Sequence, residues 1–291
     1  MVLARAMKYA LATSLLLLAL AGPVMAQETG PTLDKIKKKG AVAFGYREAS
    51  RPFSFRGEDG QPAGYSIDLC RQIAVVLKSA LGLGDLKVSW VPVTPSDRVG
   101  KLQRNAIDLE CGSSTITFER LQQVAFSHMT FVDGGSVLAT ASSGIRGVKD
   151  LNGKRVGVIP NTTTDKALAT ALALLSVKPE IVHVTETREG LQGLEAGQLD
   201  AYASDHLLLA GLVSTARDPA ALKLSDDYFS YEPYGLMMRR DYPFQVHVNR
   251  TLSALYRAGK IVEIYERWFG SFNDVSPLIR SLYLLHSWPD S

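Results

Sequence analysis

The chain has 291 residues, 32 basic against 29 acidic, a formal charge of +3 and 46% hydrophobic residues, which is enough apolar material for more than one core. Setting aside Arg5 and Lys8, which fall in the leader described next, leaves 30 basic residues against 29 acidic. The basic residues are scattered and lack interleaved aromatics, so a nucleic-acid surface is excluded, and the sequence pI near 8.7 says little about partners.

Residues 1–26 read as a secretory leader that is not part of the fold. Arg5 and Lys8 give a basic start, Leu11 to Ala21 is an apolar run too short to span a bilayer comfortably, and Val24, Met25 and Ala26 suit a signal-peptidase site before Gln27. No cysteine lies in this stretch, which excludes attachment through a lipidated N-terminal cysteine. No later apolar run reaches the length of a membrane span. The expectation is an exported protein, cleaved after Ala26, with no direct membrane anchor.

From there strands and helices alternate. Ala41 to Tyr46 is predicted as a strand, and Ile67 to Leu81 as a helix with Ile67, Leu69, Cys70, Ile73, Ala74 and Leu77 on its apolar face. Lys87 to Val93 and Ile107 to Cys111 follow as strands, and Phe126 to Thr140 is a β-rich segment broken by Gly134 and Gly135. A second series then begins with the strand Lys154 to Ile159, a helix from Thr164 to Leu175, and the strands Ile181 to Thr185 and Leu199 to Ala203. Pro233 and Gly235 punctuate a further apolar run, Tyr231 to Met238, and Phe244 to Phe269 is helical in period with nowhere to pack but the first unit. The pattern is α/β in two lobes, 27–135 with 235–291 and 136–234, joined by two crossover segments.

One passage occurs twice. Val91, Val93 and Thr94 lead, eight residues on, to Leu102, Asn105, Ile107 and Asp108, and Val182, Val184 and Thr185 lead, nine residues on, to Leu194, Gly197, Leu199 and Asp200. Each copy reads as strand, short helix closed by Asn or Gly, and strand. Taken alone, this is either a true repeat or a chance recurrence of a common arrangement. Registered on Leu102 and Leu194, the copies set Ser113 opposite Asp205, each just past a strand end, where ligands sit in open α/β sheets.

Signatures of catalysis are missing. There is no GxSxG or HExxH, the five histidines lack metal-ligand spacing, and the phosphate-loop-like Gly147 to Lys154 has one residue too many and Arg155 in place of Ser or Thr. No catalytic residue, metal or cofactor is expected. Cys70 and Cys111 are the only cysteines, and in an exported protein they either pair or remain as two buried thiols.

Binding chemistry is better represented. Arg98 follows a strand and Pro95 at the start of a short helix, where its guanidinium is either a fork for a carboxylate or a solvated surface charge. Ser113, Ser114 and Thr115 offer hydroxyls at a strand end, or cap the helix Phe118 to Val124. Asn161 to Thr164 open a helix whose free N–H groups suit an anion, though these residues also suit plain capping. Asp205 likewise has the plainer role of capping Leu207 to Ser214.

Gly45 to Phe55 (GYREASRPFSF), Gly64 to Cys70 (GYSIDLC), Val91 to Arg98 (VPVTPSDR), Ile107 to Thr115 (IDLECGSST), Leu194 to Gly211 (LEAGQLDAYASDHLLLAG) and Glu232 to Met238 (EPYGLMM) come in the order found in one family. Over about Leu33 to Phe269 the chain resembles the family 3 solute-binding proteins of ABC importers, and among them the glutamate/aspartate-binding members most. The resemblance implies the type II, Venus-flytrap form of the periplasmic binding protein fold, each lobe a sheet flanked by helices. It implies a monomeric periplasmic protein that carries a small amino acid, glutamate or aspartate first, to the membrane subunits of an ABC permease.

The resemblance also implies roles. Arg98 takes the ligand α-carboxylate with support from Asn161, Thr162 and Thr163, while Asp205, Ser113 and Thr115 take the α-ammonium. Arg47 faces an acidic side chain, and Thr187, Arg188 and Tyr234 border the side-chain pocket. Arg98, Arg47 and Asp205 together carry +1, the complement of a ligand at −1. Two positions depart from glutamate-binding members, which can carry a Ser where this chain has Pro95 and a His where it has Thr187. Two rival readings share the fold: a periplasmic dehydratase of the cyclohexadienyl or arogenate type with Glu110 or Glu232 as its acid, and a sensor that reports to a signalling partner.

Overall fold

The computed structural model describes residues 29–270 and 275–290, so the leader expected at 1–26 lies outside the described residues. In chain order the first elements are α1 (Pro31–Lys39), β1 (Ala41–Tyr46), β2 (Ala49–Ser50), β3 (Ser54–Arg56), β4 (Pro62–Ala63), α2 (Tyr65–Ala80), β5 (Lys87–Pro92), α3 (Arg98–Gln103), β6 (Leu109–Thr115), α4 (Phe118–Leu121) and β7 (Ala125–Asp133). Then come β8 (Gly135–Thr140), β9 (Arg155–Val158), α5 (Thr163–Leu175), β10 (Glu180–His183), α6 (Thr187–Glu195), β11 (Ala201–Asp205), α7 (His206–Val213) and β12 (Leu222–Leu224). The chain returns through β13 (Glu232–Met238) and closes with α8 (Tyr242–Arg257), α9 (Lys260–Phe269) and α10 (Pro277–Leu285).

Two five-stranded sheets result, one per lobe, each flanked by helices. The first has the order β5-β1-β6-β13-β7, with β5, β1 and β6 parallel and β13 antiparallel to both its neighbours. The second has the order β10-β9-β11-β8-β12, again with three parallel strands followed by antiparallel ones. Only Gly134 separates β7 in the first sheet from β8 in the second, and β13 brings the chain back.

The helical spacing of Ile67, Leu69, Cys70, Ile73, Ala74 and Leu77 puts all six in the first core, where each large apolar side chain contributes about 1.5–3 kcal/mol. Phe244, Val248, Leu252, Ile261 and Phe269 join that same core, so the C-terminal helices pack on the first lobe. The expected single run Phe244 to Phe269 is two helices, parted by Gly259 in the left-handed region at φ 70. Helices α1 and α10 escape the sequence pattern because each buries only three residues, Thr32, Leu33 and Ile36 in one and Ile279, Leu282 and Tyr283 in the other.

The recurring passage is a shared packing solution. Asn105 and Gly197, which end the two short helices, are both left-handed, at φ 59 and φ 67. Asp108 accepts from Ala43 N at 3.0 Å and donates its own N–H to Ala43 O, and Asp200 repeats both bonds with Arg155, its carboxylate accepting at 2.8 Å. A Cβ on Gly45 would meet Ile107 Cδ1 at 2.6 Å, and one on Gly157 would meet Leu199 Cδ1 at 2.6 Å. The same glycine–leucine or glycine–isoleucine contact thus fixes strand spacing in both lobes.

Strand β6 runs four residues past the expected end at Cys111, because β13 pairs with it as far as Tyr234 opposite Thr115. Ser113, Ser114 and Thr115 are therefore strand residues, and the helix after them is capped by Thr117, whose hydroxyl accepts from Arg120 N at 3.1 Å.

Cys70 on α2 and Cys111 on β6 form a disulfide with Cα atoms 6.2 Å apart and a sequence separation of 41. A loop of that length is worth about 4 kcal/mol in the chain-entropy account of cross-links. The unfolded, unreduced protein should therefore show no free thiol among these two, and the double substitution Cys70→Ser with Cys111→Ser should lower unfolding stability by about that amount in a denaturant titration.

Candidate ligand-binding cleft

The C-terminal ends of the parallel strands in both sheets converge on one small cavity of about 40 Å³ between the lobes. From the first lobe it is lined by Arg47 after β1, Arg98 at the first turn of α3, and Ser113 and Thr115 on β6. The second lobe supplies Thr162 and Thr163 at the start of α5, Thr187 at the start of α6 and Asp205 at the end of β11.

Arg98 is aimed by the turn before it. Thr94 N donates to Asp97 Oδ1 at 2.8 Å and Asp97 N donates to Thr94 Oγ1 at 3.2 Å, which closes the loop that carries Pro95. The arginine is 5% exposed, not a solvated charge, and lies 4.0 Å from the fully buried Glu110. Burial, partly offset by the neighbouring Glu110 carboxylate, pulls the Arg98 guanidinium down to about 10. Glu110 is itself steadied by Ser114 Oγ, which donates to it at 2.6 Å.

On the other side, Asp205 accepts from Thr164 Oγ1 at 2.6 Å and from the Tyr234 hydroxyl. It occupies the N-cap position of α7 without making a cap bond. That task falls to Asp133, which accepts from Leu207 N at 3.0 Å across the crossover. Burial first, and then the neighbouring Glu232 carboxylate, push Asp205 up to about 6. Burial and then Asp205 push Asp133 up to about 8, against the pull of the Gly134 and Leu207 N–H groups. Glu232 is fixed by three hydroxyls: Thr115 at 2.5 Å, Thr163 at 2.7 Å and Ser230 at 2.6 Å.

Arg47 is 4% exposed and points inward. Its Nη2 donates to Glu186 Oε2 at 3.4 Å, and its buried Nε has no hydrogen-bond partner. A guanidinium held this dry with donors unmet is organised for an acceptor in the cavity.

Three residues expected at the site lie elsewhere. Tyr234 is fully buried beneath Asp205 and supports the carboxylate, because β13 runs behind the cavity. Arg188 is exposed and lines a neighbouring groove, one position past the face of α6 that turns inward. Asn161, at φ 61, borders a second inter-lobe cavity on the other side of α5. One charged cavity-lining residue is missed by the sequence reading, along with uncharged ones such as Ser50, Tyr202 and Ser204: Arg120, whose Nη1 donates to Thr115 O at 2.7 Å and whose charge faces Glu232 and Glu110. The rule that flags Arg98, a cation in the first turn after a strand end, would have flagged Arg120 too. The expected balance of +1 is accordingly incomplete. Three arginines, at 47, 98 and 120, meet three buried carboxylates, at 110, 205 and 232, so the frame is neutral before Glu186 is counted.

Two α/β lobes that converge on a charged cavity, with the chain crossing between them beside it, define a protein that closes on a small solute. The sequence model of the bacterial extracellular solute-binding proteins, family 3, matches residues 42–271, and the chain belongs to that family. It is 35% identical over 261 residues to the L-glutamate/L-aspartate-binding protein of Pseudomonas aeruginosa, covering 89% of this chain and 86% of the relative. The glutamate/aspartate import solute-binding protein of Escherichia coli K12 is 33% identical over 264 residues, covering 89% and 87%. Among solved structures, an ancestral amino acid-binding protein described as a precursor of cyclohexadienyl dehydratase superposes with a TM-score of 0.71 at 29% identity, covering 82% of this chain and 99% of the other. Among the described residues no helix is long and apolar enough to cross a membrane.

The two raised carboxyls set a pH dependence. Each binds its proton more tightly in the folded protein than in the unfolded chain, so its contribution to stability is present at about pH 4 and lost as pH rises through 6 for Asp205 and 8 for Asp133. Thermal melts of the ligand-free protein should therefore show the melting temperature falling from pH 5 to 8.5, with Asp133→Asn flattening the upper part of that fall.

Proposed function

We propose that this cleft binds a free α-amino acid with an acidic side chain, glutamate or aspartate, and that the protein is a periplasmic receptor, acting as a monomer, that delivers it to the membrane subunits of an ABC importer. The observation that carries the reading is the placement of Arg98 and Asp205, each 5% exposed, on opposite lobes of one cavity. A cation and an anion so disposed complement a zwitterion. The α-carboxylate lies on Arg98 and on the N-terminal turn of α5, whose first N–H groups and dipole favour an anion. The α-ammonium lies on Asp205 with Ser113 and Thr115 beside it. The unmet donors of Arg47 then take the ligand side-chain carboxylate. The ligand named for the Pseudomonas and Escherichia relatives supports the same choice.

Ligand binding closes the hinge because the ligand touches both lobes only in the closed form. The moving units in this reading are the two five-stranded sheets with their flanking helices, turning about the crossovers at Gly134 and ahead of β13, which pairs with the first lobe from Glu232 onward. Charge-assisted hydrogen bonds contribute about 1.5–3 kcal/mol each, so a few of them sustain the ~8 kcal/mol of micromolar binding. The dehydratase reading has less support. Glu110 is engaged by Ser114 and lies 4.0 Å from Arg98, Glu232 is engaged by Thr115, Thr163 and Ser230, and neither lines the cavity.

Calorimetry on protein that has been unfolded and refolded, to strip any retained amino acid, tests the assignment. Asp205→Ala should weaken glutamate binding by about 2–5 kcal/mol, since it strands the ammonium; binding as tight as wild type would refute the role. Because the ammonium needs Asp205 ionised and its carboxyl sits at about 6, wild-type affinity should be about tenfold weaker at pH 5 than at pH 7. A flat profile over that range would contradict it.

A further inference from the structure

The side-chain end of the cleft holds a contact that the amino-acid grip does not need. Glu186 immediately precedes α6 on the second lobe and makes no cap bond to that helix. Its carboxylate instead reaches across the cleft to Arg47 of the first lobe at 3.4 Å. The two partners are unequal: the Arg47 side chain is 5% exposed and that of Glu186 is 33% exposed. The arginine is built in, while the glutamate comes to it from the rim and can leave. Glu186 also lines a rim groove with Glu48, Glu189, Lys101, Arg56 and Arg188; Arg56 is paired with Glu48 and Lys101 with Asp97, so the cation toward which a displaced carboxylate turns is Arg188.

Resting on the reading of the cleft as an amino-acid site, we propose that Glu186 is its specificity-determining residue, an internal carboxylate that takes the place of an acidic ligand side chain on Arg47. With an amide ligand such as glutamine, Glu186 stays and keeps Arg47 neutralised in the closed cleft, which spares the cost of a buried unpaired cation. With glutamate, the ligand carboxylate and Glu186 compete for one guanidinium, and like charges this close repel. Glu186 therefore narrows the preference for acidic over amide ligands. Its removal leaves Arg47 with no partner but the ligand.

The test is calorimetry of glutamate, aspartate, glutamine and asparagine against wild type, Glu186→Gln, Arg47→Met and the double variant. Glu186 is at the rim and caps nothing, so a wild-type circular dichroism spectrum and a single cooperative melt, at whatever temperature the loss of the Arg47 partner sets, serve as the folding control for Glu186→Gln. Glu186→Gln should bind glutamate about fivefold tighter, the scale of one partly exposed ion pair, and glutamine more weakly, so that the glutamine-to-glutamate ratio of Kd rises about tenfold. In the Arg47→Met background the same substitution should leave the ratio unchanged. Glutamate and glutamine affinities that move together, or do not move, would overturn the role of Glu186 while leaving the amino-acid receptor intact. Failure of wild type to bind any of the four would instead overturn the receptor reading, and this proposal with it.

Discussion

Charge buried without water has to be matched, and that constraint organises this molecule. Arg47, Arg98, Asp205, Glu110 and Glu232 are all at most 5% exposed, and an uncompensated ion in such a place costs several kcal/mol. Each is matched locally: Glu110 by Arg98 and Ser114, Asp205 by Thr164 and Tyr234, Glu232 by Thr115, Thr163 and Ser230. The match is looser at two points: Glu110 Oε1 accepts no hydrogen bond and has Arg98 at 4.0 Å, and Arg47 is held by a single long bond to a residue that is one-third exposed. The second of these is also where a ligand adds most.

The same matching joins the lobes. Glu232 accepts from Thr115 in the first lobe and Thr163 in the second, and Asp133 on β7 caps a helix that belongs to the second lobe. These bonds lie beside the two crossovers, so hinge and binding site are one network. A solute that satisfies Arg98 and Asp205 together acts on groups already bonded to the hinge, which gives closure a direct energetic link to recognition. The strand order supports this, since in both sheets the polar ends of three parallel strands face the cleft.

Much of the fold is legible in the sequence because it depends on period. The apolar face of α2, the short helices ended by Asn105 and Gly197, and the return of the C-terminal helices to the first lobe all follow from spacing and left-handed stops. The true extent of β6 does not, since it depends on pairing with β13, more than a hundred residues away. At the site, sequence alone leaves Arg98 open between a buried fork and a surface charge. What decides is Glu110, whose position beneath it follows from the strand pleat and the neighbouring sheet. Family resemblance brings Arg47, Ser113, Thr115, Thr163 and Asp205 forward as candidates, and all of them line one cavity. It misjudges Tyr234 and Arg188, where one strand or one helical step decides whether a side chain faces the cavity. Glu186 goes unnoticed because its relevance comes from Arg47, in a distant segment of the other lobe, whereas Arg120, bonded to the nearby Thr115 O, is within reach of the rule that flags Arg98.

The central claim is geometric: one zwitterion lies between Arg98 and Asp205, with its acidic side chain on Arg47. A crystal structure of the refolded protein with glutamate tests it most directly. The account predicts the α-carboxylate forked on the Arg98 guanidinium, the ammonium within hydrogen-bond reach of Asp205, and the side-chain carboxylate on Arg47 with Glu186 turned away to the rim. Glutamate bound with its ammonium away from Asp205, or an ordered ligand in another cavity while this one holds only water, would contradict it.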